Sequence, residues 1–253
     1  LLFFLVWFER LLINAPWWAV LVVVCALVFL VGRSWKIVAG TAVAFLLIGY
    51  FGMWKDTMST MSIITVCTLI AIALGVPIGI VMARSDRART IVTPILDVMQ
   101  TMPAFVYLIP VVMLLGIGKV PGVIAVVIYA IPPVIRLTNL GIRLVDRDVL
   151  EAADAFGASG WQRLVGVQIP LALPTIMAGI NQTIMMALAM VVIASMIGVQ
   201  GLGQPVLRSI TNQYFTLGLL NGLAIVALAI VFDRVSQAYG RRMQLQYERI
   251  SNV

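Results

Sequence analysis

Residues able to do chemistry are few in this chain, and their types narrow what that chemistry is. Histidine is absent, which removes the commonest general base and metal ligand. Cys25 and Cys67 lie inside apolar runs without ligand-like neighbours. They read as small buried hydrophobes and say nothing of redox compartment. Three groups remain. The first is a proline-bracketed block of Met102, Pro103, Phe105 and Tyr107 that closes at Pro110. Its aromatic faces suit attraction of a cation without a full counter-charge, and they equally suit packing between helices. The second is Asn181, Gln182 and Thr183 with Ser195 and Met196 further on, all in an apolar stretch. These residues fit the lining of a gated route, or interhelical hydrogen bonds of about 0.6 kcal/mol each. The third is a polar segment from Arg136 to about Gln168, centred on Glu151, Ala152, Ala153, Phe156 and Gly157. No nucleophile–base pair or carboxylate pair lies within the apolar stretches, which argues against enzymatic chemistry.

The elements that must position these groups follow from composition. The chain has 253 residues, of which 62% are hydrophobic and 11% charged, with a mean hydropathy of +1.08. Soluble domains carry about 25% charged residues, so a water-facing surface cannot be covered. Long apolar runs separated by short basic gaps imply an all-α polytopic membrane bundle. A membrane barrel would show alternating segments of roughly ten residues, and none are visible. Seven spans are expected, at about Trp17–Val31, Ile37–Met53, Thr60–Ala83, Ile95–Ile117, Val120–Ile135, Pro174–Ile197 and Leu217–Phe232. Ahead of them, Leu1–Asn14 is too short to span and is expected to form an interfacial helix. The chain starts at Leu1 rather than Met, so an N-terminal piece is expected to precede it.

The net charge of +7 would suit nucleic acid, but its placement points to a bilayer. Thirteen of the seventeen basic residues fall on one side of the alternating spans. They are Arg33, Lys36, Arg84, Arg87, Arg89, Arg136, Arg143, Arg147, Arg163, Arg234, Arg241, Arg242 and Arg249. Arg10, Lys55, Lys119 and Arg208 fall on the other. The positive-inside rule then puts the N-terminus outside and the C-terminus in the cytoplasm. Trp17, Trp18, Trp35 and Trp54 sit at expected span ends, where amphipathic rings favour headgroup level.

Pro77, Pro103 and Pro110 interrupt spans, which must kink or re-satisfy their freed carbonyls. The pairs Gly75–Gly79 and Gly218–Gly222 suit close helix contact. Asp97 and Arg136 lie near span ends. An ion-coupled secondary transporter would usually hold an ionisable group near mid-membrane; none is found, although backbone carbonyls still suit sodium.

A bundle with short loops has no structural need for the polar segment after the fifth span. Asp148 with Glu151, and Ser159 with Gln162, resemble capping boxes, so two short helices hinged near Gly157–Gly160 are expected. Val149, Ala152, Ala153 and Phe156 make an apolar stripe on the first. The alanines permit close approach, and Phe156 is large enough to anchor in a partner's pocket.

Glu151-Ala152-Ala153, then Gly157, then Val167-Gln168-Ile169-Pro170 resembles the EAA signature of ABC-importer permeases. That signature is a Glu-Ala-Ala triplet, a glycine four residues on, and an Ile-x-Leu-Pro ending; Val167 and Ile169 stand here for Ile and Leu. Gln100 to Pro110, Met190 to Ile197 and Gly201 to Gln204 are similar to permeases for glycine betaine, proline and related quaternary amines. The similarity covers roughly Thr57 to Gly240.

The resemblance implies a type I ABC-importer permease fold. Residues 57–237 would form the permease domain, with a coupling loop at about 143–170. Residues 1–56 would form the N-terminal helix and two spans, and 238–253 a cytoplasmic tail. It further implies a homodimer in the bacterial inner membrane, two cytoplasmic ATPase subunits and an external binding protein, with no nucleic acid involved. Glu151, Ala152, Ala153, Phe156, Gly157, Ile169 and Pro170 would contact the ATPase. Met102, Pro103, Phe105, Tyr107, Asn181, Gln182, Ser195 and Met196 would line the pathway or gate. The chain holds no G-x-x-x-x-G-K-[ST] loop, and Gly116-Ile117-Gly118-Lys119 lacks the following Ser or Thr. ATP and Mg would therefore be bound by the partner ATPase, and no cofactor by this chain. Choline, carnitine and histidine remain alternative substrates.

Overall fold

Each apolar run is helical, and no strand occurs among the described residues. The computed structural model describes residues 2–251, with side chains for residues 3–240. The side chains of Arg241, Arg242 and Arg249 lie outside the described residues. Helix α1 spans Leu2–Asn14, α2 Trp17–Gly32, α3 Trp35–Tyr50, α4 Trp54–Arg84 and α5 Asp86–Thr101. A 3₁₀ turn at Ala104–Tyr107 leads into α6, Leu108–Leu115. Then come α7 (Lys119–Ala130), α8 (Pro132–Arg143), α9 (Arg147–Ala155) and α10 (Gly160–Arg163). A π turn at Leu164–Gln168 runs into α11 (Ile169–Ala194), followed by α12 (Gly203–Asn212) and α13 (Phe215–Ser251).

Among the described residues, four stretches are long and apolar enough to cross a bilayer: α4, Lys119–Arg143, Gly160–Ile197 and Phe215–Gly240. Two further candidates are bent pairs, and α3 is a shorter apolar helix. The α1–α2 pair bends by 112°, as suits an interfacial helix ahead of a span. The expected span Ile95–Ile117 is corrected, since it is bent by 113° between α5 and the Ala104–Leu115 stretch. Its first part, α5, buries only Leu96, and Pro103 cannot continue the helix. The sixth span is also longer than expected. The helix runs unbroken from Gly160 to Ile197, so Val167–Pro170 lies inside it rather than closing a loop. The π turn explains how. Pro170 has no N–H to offer Gly166, and the Ile169 N–H reaches back five residues to the Leu164 carbonyl.

Glycines set the closest helix crossings. A Cβ at Gly75 would lie 2.4 Å from Val134 Cγ1, and one at Gly79 would lie 2.6 Å from Thr138 Cβ. A Cβ at Gly179 would lie 2.9 Å from Leu137 Cβ, and one at Gly141 would lie 2.9 Å from Thr175 Cβ. Helix α8 is therefore clasped between α4 and α11 at backbone distance, the contact that small residues permit in lipid. The Gly218–Gly222 expectation holds at one end only. A Cβ at Gly218 would meet Ser209, whereas Gly222 has nothing within 4 Å.

Contacts sort the helix ends into two poles. At one, Ser59 Oγ donates to Glu9 Oε1 (3.0 Å), Lys119 pairs with Glu9 (2.5 Å) and Leu202 N donates to Thr60 Oγ1 (2.9 Å). At the other, Arg143 Nη2 donates to the Met82 carbonyl (2.9 Å) and pairs with Asp86 (2.7 Å). The polar segment starts from this second pole, which also carries the Arg84, Arg87 and Arg89 gap. Lys119 therefore lies at the pole opposite Arg143.

Candidate functional site

The polar segment folds as two short helices turned about Gly157. Asp146, not Asp148, caps α9, its side chain accepting from the Asp148 N–H at 3.0 Å. The earlier start is a correction: Arg147 and Asp148 become the first turn, and Glu151 sits one turn inside. Ser159 and Gln162 form the expected capping box on α10, with bonds of 2.8 and 3.3 Å. Gly157 has a φ of +77°, a region where a side chain strains the backbone. Its N–H donates to the Asp154 carbonyl (2.9 Å), and Arg163 reaches back to Asp154 at 2.5 Å. That ion pair ties α10 to α9 across the turn. Leu164 is buried with Ile142, Ala172 and Ile176, which anchors the second helix to α8 and α11.

This knob presents an aromatic end beside exposed charged residues, Arg147, Asp148, Glu151 and Asp154. No residue of α9 is buried, and Phe156 at its end is 92% exposed. Glu151 and Ala152 are exposed, Ala153 is half-buried, and Ile169 and Pro170 are half-buried within the continuous helix. Trp161 is also exposed. Trp161 was not among the expected contact residues, although an indole directly after a hinge glycine in a polar segment is a legible signal. An exposed aromatic on a short, capped, alanine-bearing helix suits insertion into a complementary groove. No group of three or more His, Cys, Asp or Glu side chains able to hold a metal ion occurs among the described residues.

The residues expected along a pathway are separated rather than gathered. Tyr107 is buried, its ring edge-on to Tyr129 at 5.6 Å, and its hydroxyl donates to the Met99 carbonyl. Phe105 and Pro103 are exposed, and Met102 is half-buried at the bend. Asn181 donates to Asp233 of α13 at 3.0 Å, while Gln182 on the adjacent face is exposed. Ser195 is buried and donates to the Val191 carbonyl (3.4 Å), while Met196 is exposed. A Cβ at Gly203 would lie 2.0 Å from Ser195 Oγ, so Ser195 abuts the start of α12. Within this chain the open members of the set are Pro103, Phe105, Gln182 and Met196; Tyr107, Asn181 and Ser195 make helix contacts.

Sequence reasoning missed the role of Glu9. It is 4% exposed and joins α1 to α4 and α7 through Ser59 and Lys119. The pairing was not legible, because the partner Lys119 is 110 residues away.

With this geometry in hand, comparison with known proteins gives a consistent picture. The family model for binding-protein-dependent transport system inner membrane components matches residues 75–245. The chain is 51% identical over 239 residues to the glycine betaine/proline betaine transport system permease protein ProW of Escherichia coli. That match covers 92% of this chain and 66% of the relative, so the chain spans just under two thirds of ProW. It is 50% identical over 211 residues to the glycine betaine/carnitine transport permease protein GbuB of Listeria monocytogenes, covering 83% of this chain and 75% of the relative. Among solved structures, an inward-facing MetNI methionine ABC transporter matches with a TM-score of 0.67 at 18% identity, covering 73% of this chain and 93% of that one. The last likeness bears on the fold alone.

Proposed function

The chain belongs to the family of binding-protein-dependent transport system inner membrane components, and from that premise we propose that it is the permease subunit of an ATP-driven importer. Its cargo would be glycine betaine, proline or a related quaternary amine, in keeping with the names its relatives carry. The all-α bundle is that of type I importer permeases, and the family resides in the inner membrane. The observation that carries the reading is the α9–α10 knob, which leaves Phe156 92% exposed.

In this reading a cytoplasmic ATPase subunit receives Phe156 and the Glu151–Ala153 face in a groove, and Gly157 sets the angle at which they enter. ATP and Mg are held by that partner. A second copy of the permease completes the pathway, two ATPase subunits dock below, and a binding protein delivers substrate from outside. Arginines at the knob's pole make it the cytoplasmic one by the positive-inside rule, with the Glu9–Lys119 pole external. Residues 57–237 are taken as the permease domain. Phe105, Gln182 and Met196 are the open groups best suited to face a passing cation and its partner copy, an aromatic face supplying attraction without a buried counter-charge.

The test is uptake of labelled glycine betaine into vesicles holding permease, ATPase and binding protein. Uptake should require ATP, persist after ion gradients are collapsed, and be competed by choline, carnitine, proline and histidine in proportion to their fit. Uptake that follows an ion gradient without the ATPase would instead make the chain a secondary transporter.

A further inference from the structure

Helix α5 is joined to α8 by two ion pairs. Arg136 Nη2 donates to Asp97 Oδ1, and Arg143 Nη2 pairs with Asp86 Oδ1 at 2.7 Å. The arginines are seven residues apart on α8 and the aspartates eleven apart on α5. At 100° per residue, both spacings return to one face within about 20°, so the two pairs form a ladder along the helix contact. Between the rungs α5 is anchored by apolar side chains, Val92 packing partly buried against the same core as Leu96. Leu96 is buried among Ala71, Met82, Ile131, Val134 and Ile135.

Ion pairs this exposed add little to stability. The Asp97 side chain is 57% exposed and that of Asp86 86%. Orientation accounts better for two of them on a helix that buries a single residue. The ends of the ladder say what is being oriented. Below Arg143, only Leu144 and Val145 separate α8 from the Asp146 cap of α9, and Arg143 also holds the Met82 carbonyl and Asn139 Oδ1. Above Asp97, α5 ends at the Met102–Pro103 break, beside exposed Phe105. Helix α8 itself is clasped by glycine contacts to α4 and α11, so it is stiff enough to act as a lever.

We propose that Arg136–Asp97 and Arg143–Asp86 are positioning pairs that make α5 move as one body with α8, carrying displacement of the α9–α10 knob to the Met102–Pro103 break. This rests on the importer reading above and names a route for its drive. The four side chains touch neither nucleotide nor cargo; they fix which helix follows which. With the pairs removed, the knob still docks and the ATPase still turns over, but α5 no longer follows.

The experiment is the number of ATP molecules hydrolysed per glycine betaine taken up, in vesicles with the complete complex. Wild-type ATP-dependent uptake, measured first, tests the importer reading by itself. In D86N/D97N, which alters only exposed carboxylates, the ratio should rise at least fivefold with complex yield unchanged. R136D alone should raise the ratio, and the exchange D97R/R136D, which restores one rung with reversed polarity, should bring it back to within twofold of the wild-type value. A wild-type ratio in D86N/D97N would overturn the proposal, as would an exchange variant no better coupled than R136D alone.

Discussion

The hydroxyl of Tyr107 donates to the carbonyl of Met99, the acceptor that Pro103, four residues on from Met99, has no N–H to serve. The bond crosses the 113° bend between α5 and the following stretch and fills the backbone group which the proline leaves open. A bent segment in lipid is tolerated only when such groups find partners inside the protein. Tyr107→Phe keeps the ring against Tyr129 and removes only the donor. It should cost about 1 kcal/mol, roughly 2–4 °C in Tm for a protein of this size. Thermal unfolding of the purified permease in one fixed detergent checks this; an unchanged Tm would return the bend to Pro103 alone.

Phe156 separates docking from folding, because it is 92% exposed and loses nothing within the chain when truncated. Phe156→Ala should leave stability within about 0.5 kcal/mol. Affinity for the ATPase subunit should fall by about 2 kcal/mol, the size of an interface anchor, or roughly 30-fold. Titration of the purified ATPase onto reconstituted permease measures both against wild type. Equal affinities would place the anchor elsewhere on the knob, with Trp161 the next to truncate.

Gly157 holds a φ of +77° with nothing within 4 Å of a Cβ built on it, so the cost of a side chain there is backbone strain rather than collision. Gly157→Asp also brings a carboxylate next to the Asp154–Arg163 pair that sets the hinge. Hydrolysis should continue while uptake falls at least tenfold, because the docked helix is held at the wrong angle. Paired measurement of phosphate release and betaine uptake decides it, and uptake at the wild-type level would remove the hinge from the mechanism.

How much of this was legible beforehand depended on whether the determining contact was local. The capping box at Ser159–Gln162 and the hinge at Gly157 are set within a few residues, and both were read correctly. The bend at Met102–Pro103 was marked by its proline, yet its size was not, because Tyr107 and Leu96 fix it through contacts made after folding. Asp146 was overlooked as a cap since Asp148 offered the better sequence pattern; the chain chose the residue whose extended backbone let its oxygen face the Asp148 N–H. The continuous helix through Pro170 needed a π turn, and no residue type announces one. The edge-on packing of Tyr107 on Tyr129 was not legible, because its ring partner lies 22 residues on in another helix. Glu9 with Lys119 was the least legible, since nothing in a single sequence pairs charges 110 residues apart.

The glycine crossings make a contrasting pair of substitutions. A Cβ at Gly79 would lie 2.6 Å from Thr138 Cβ and 2.8 Å from the Ile135 carbonyl oxygen, and backbone cannot yield as a flexible side chain does. Gly79→Ala should therefore destabilise by about 1–3 kcal/mol through overpacking. Gly222, with nothing within 4 Å, should accept alanine within about 0.5 kcal/mol. The monodisperse fraction after a heating series reports both. Equal losses would mean that Gly222 is covered in the assembled complex, and equal tolerance would mean that α4 and α8 can separate.

The Glu9–Lys119 pair allows the two roles of a buried charge to be separated. Glu9 is 4% exposed, its two carboxylate oxygens taken by Ser59 (3.0 Å) and Lys119 (2.5 Å). Removing one partner leaves the other charge in a site built for two, whereas removing both leaves no charge there and only the Ser59 hydroxyl to find another acceptor. Lys119→Met should therefore cost about 3 kcal/mol. Glu9→Leu with Lys119→Met should cost less than Lys119→Met alone, despite altering more atoms, because the stranded carboxylate is gone. The double variant should nonetheless free α1 from α4 and α7, which limited proteolysis near Asn14 would detect as cleavage faster than in wild type. Should the double variant prove less stable than the single, the pair would be a net contributor to stability rather than a device that fixes where α1 lies.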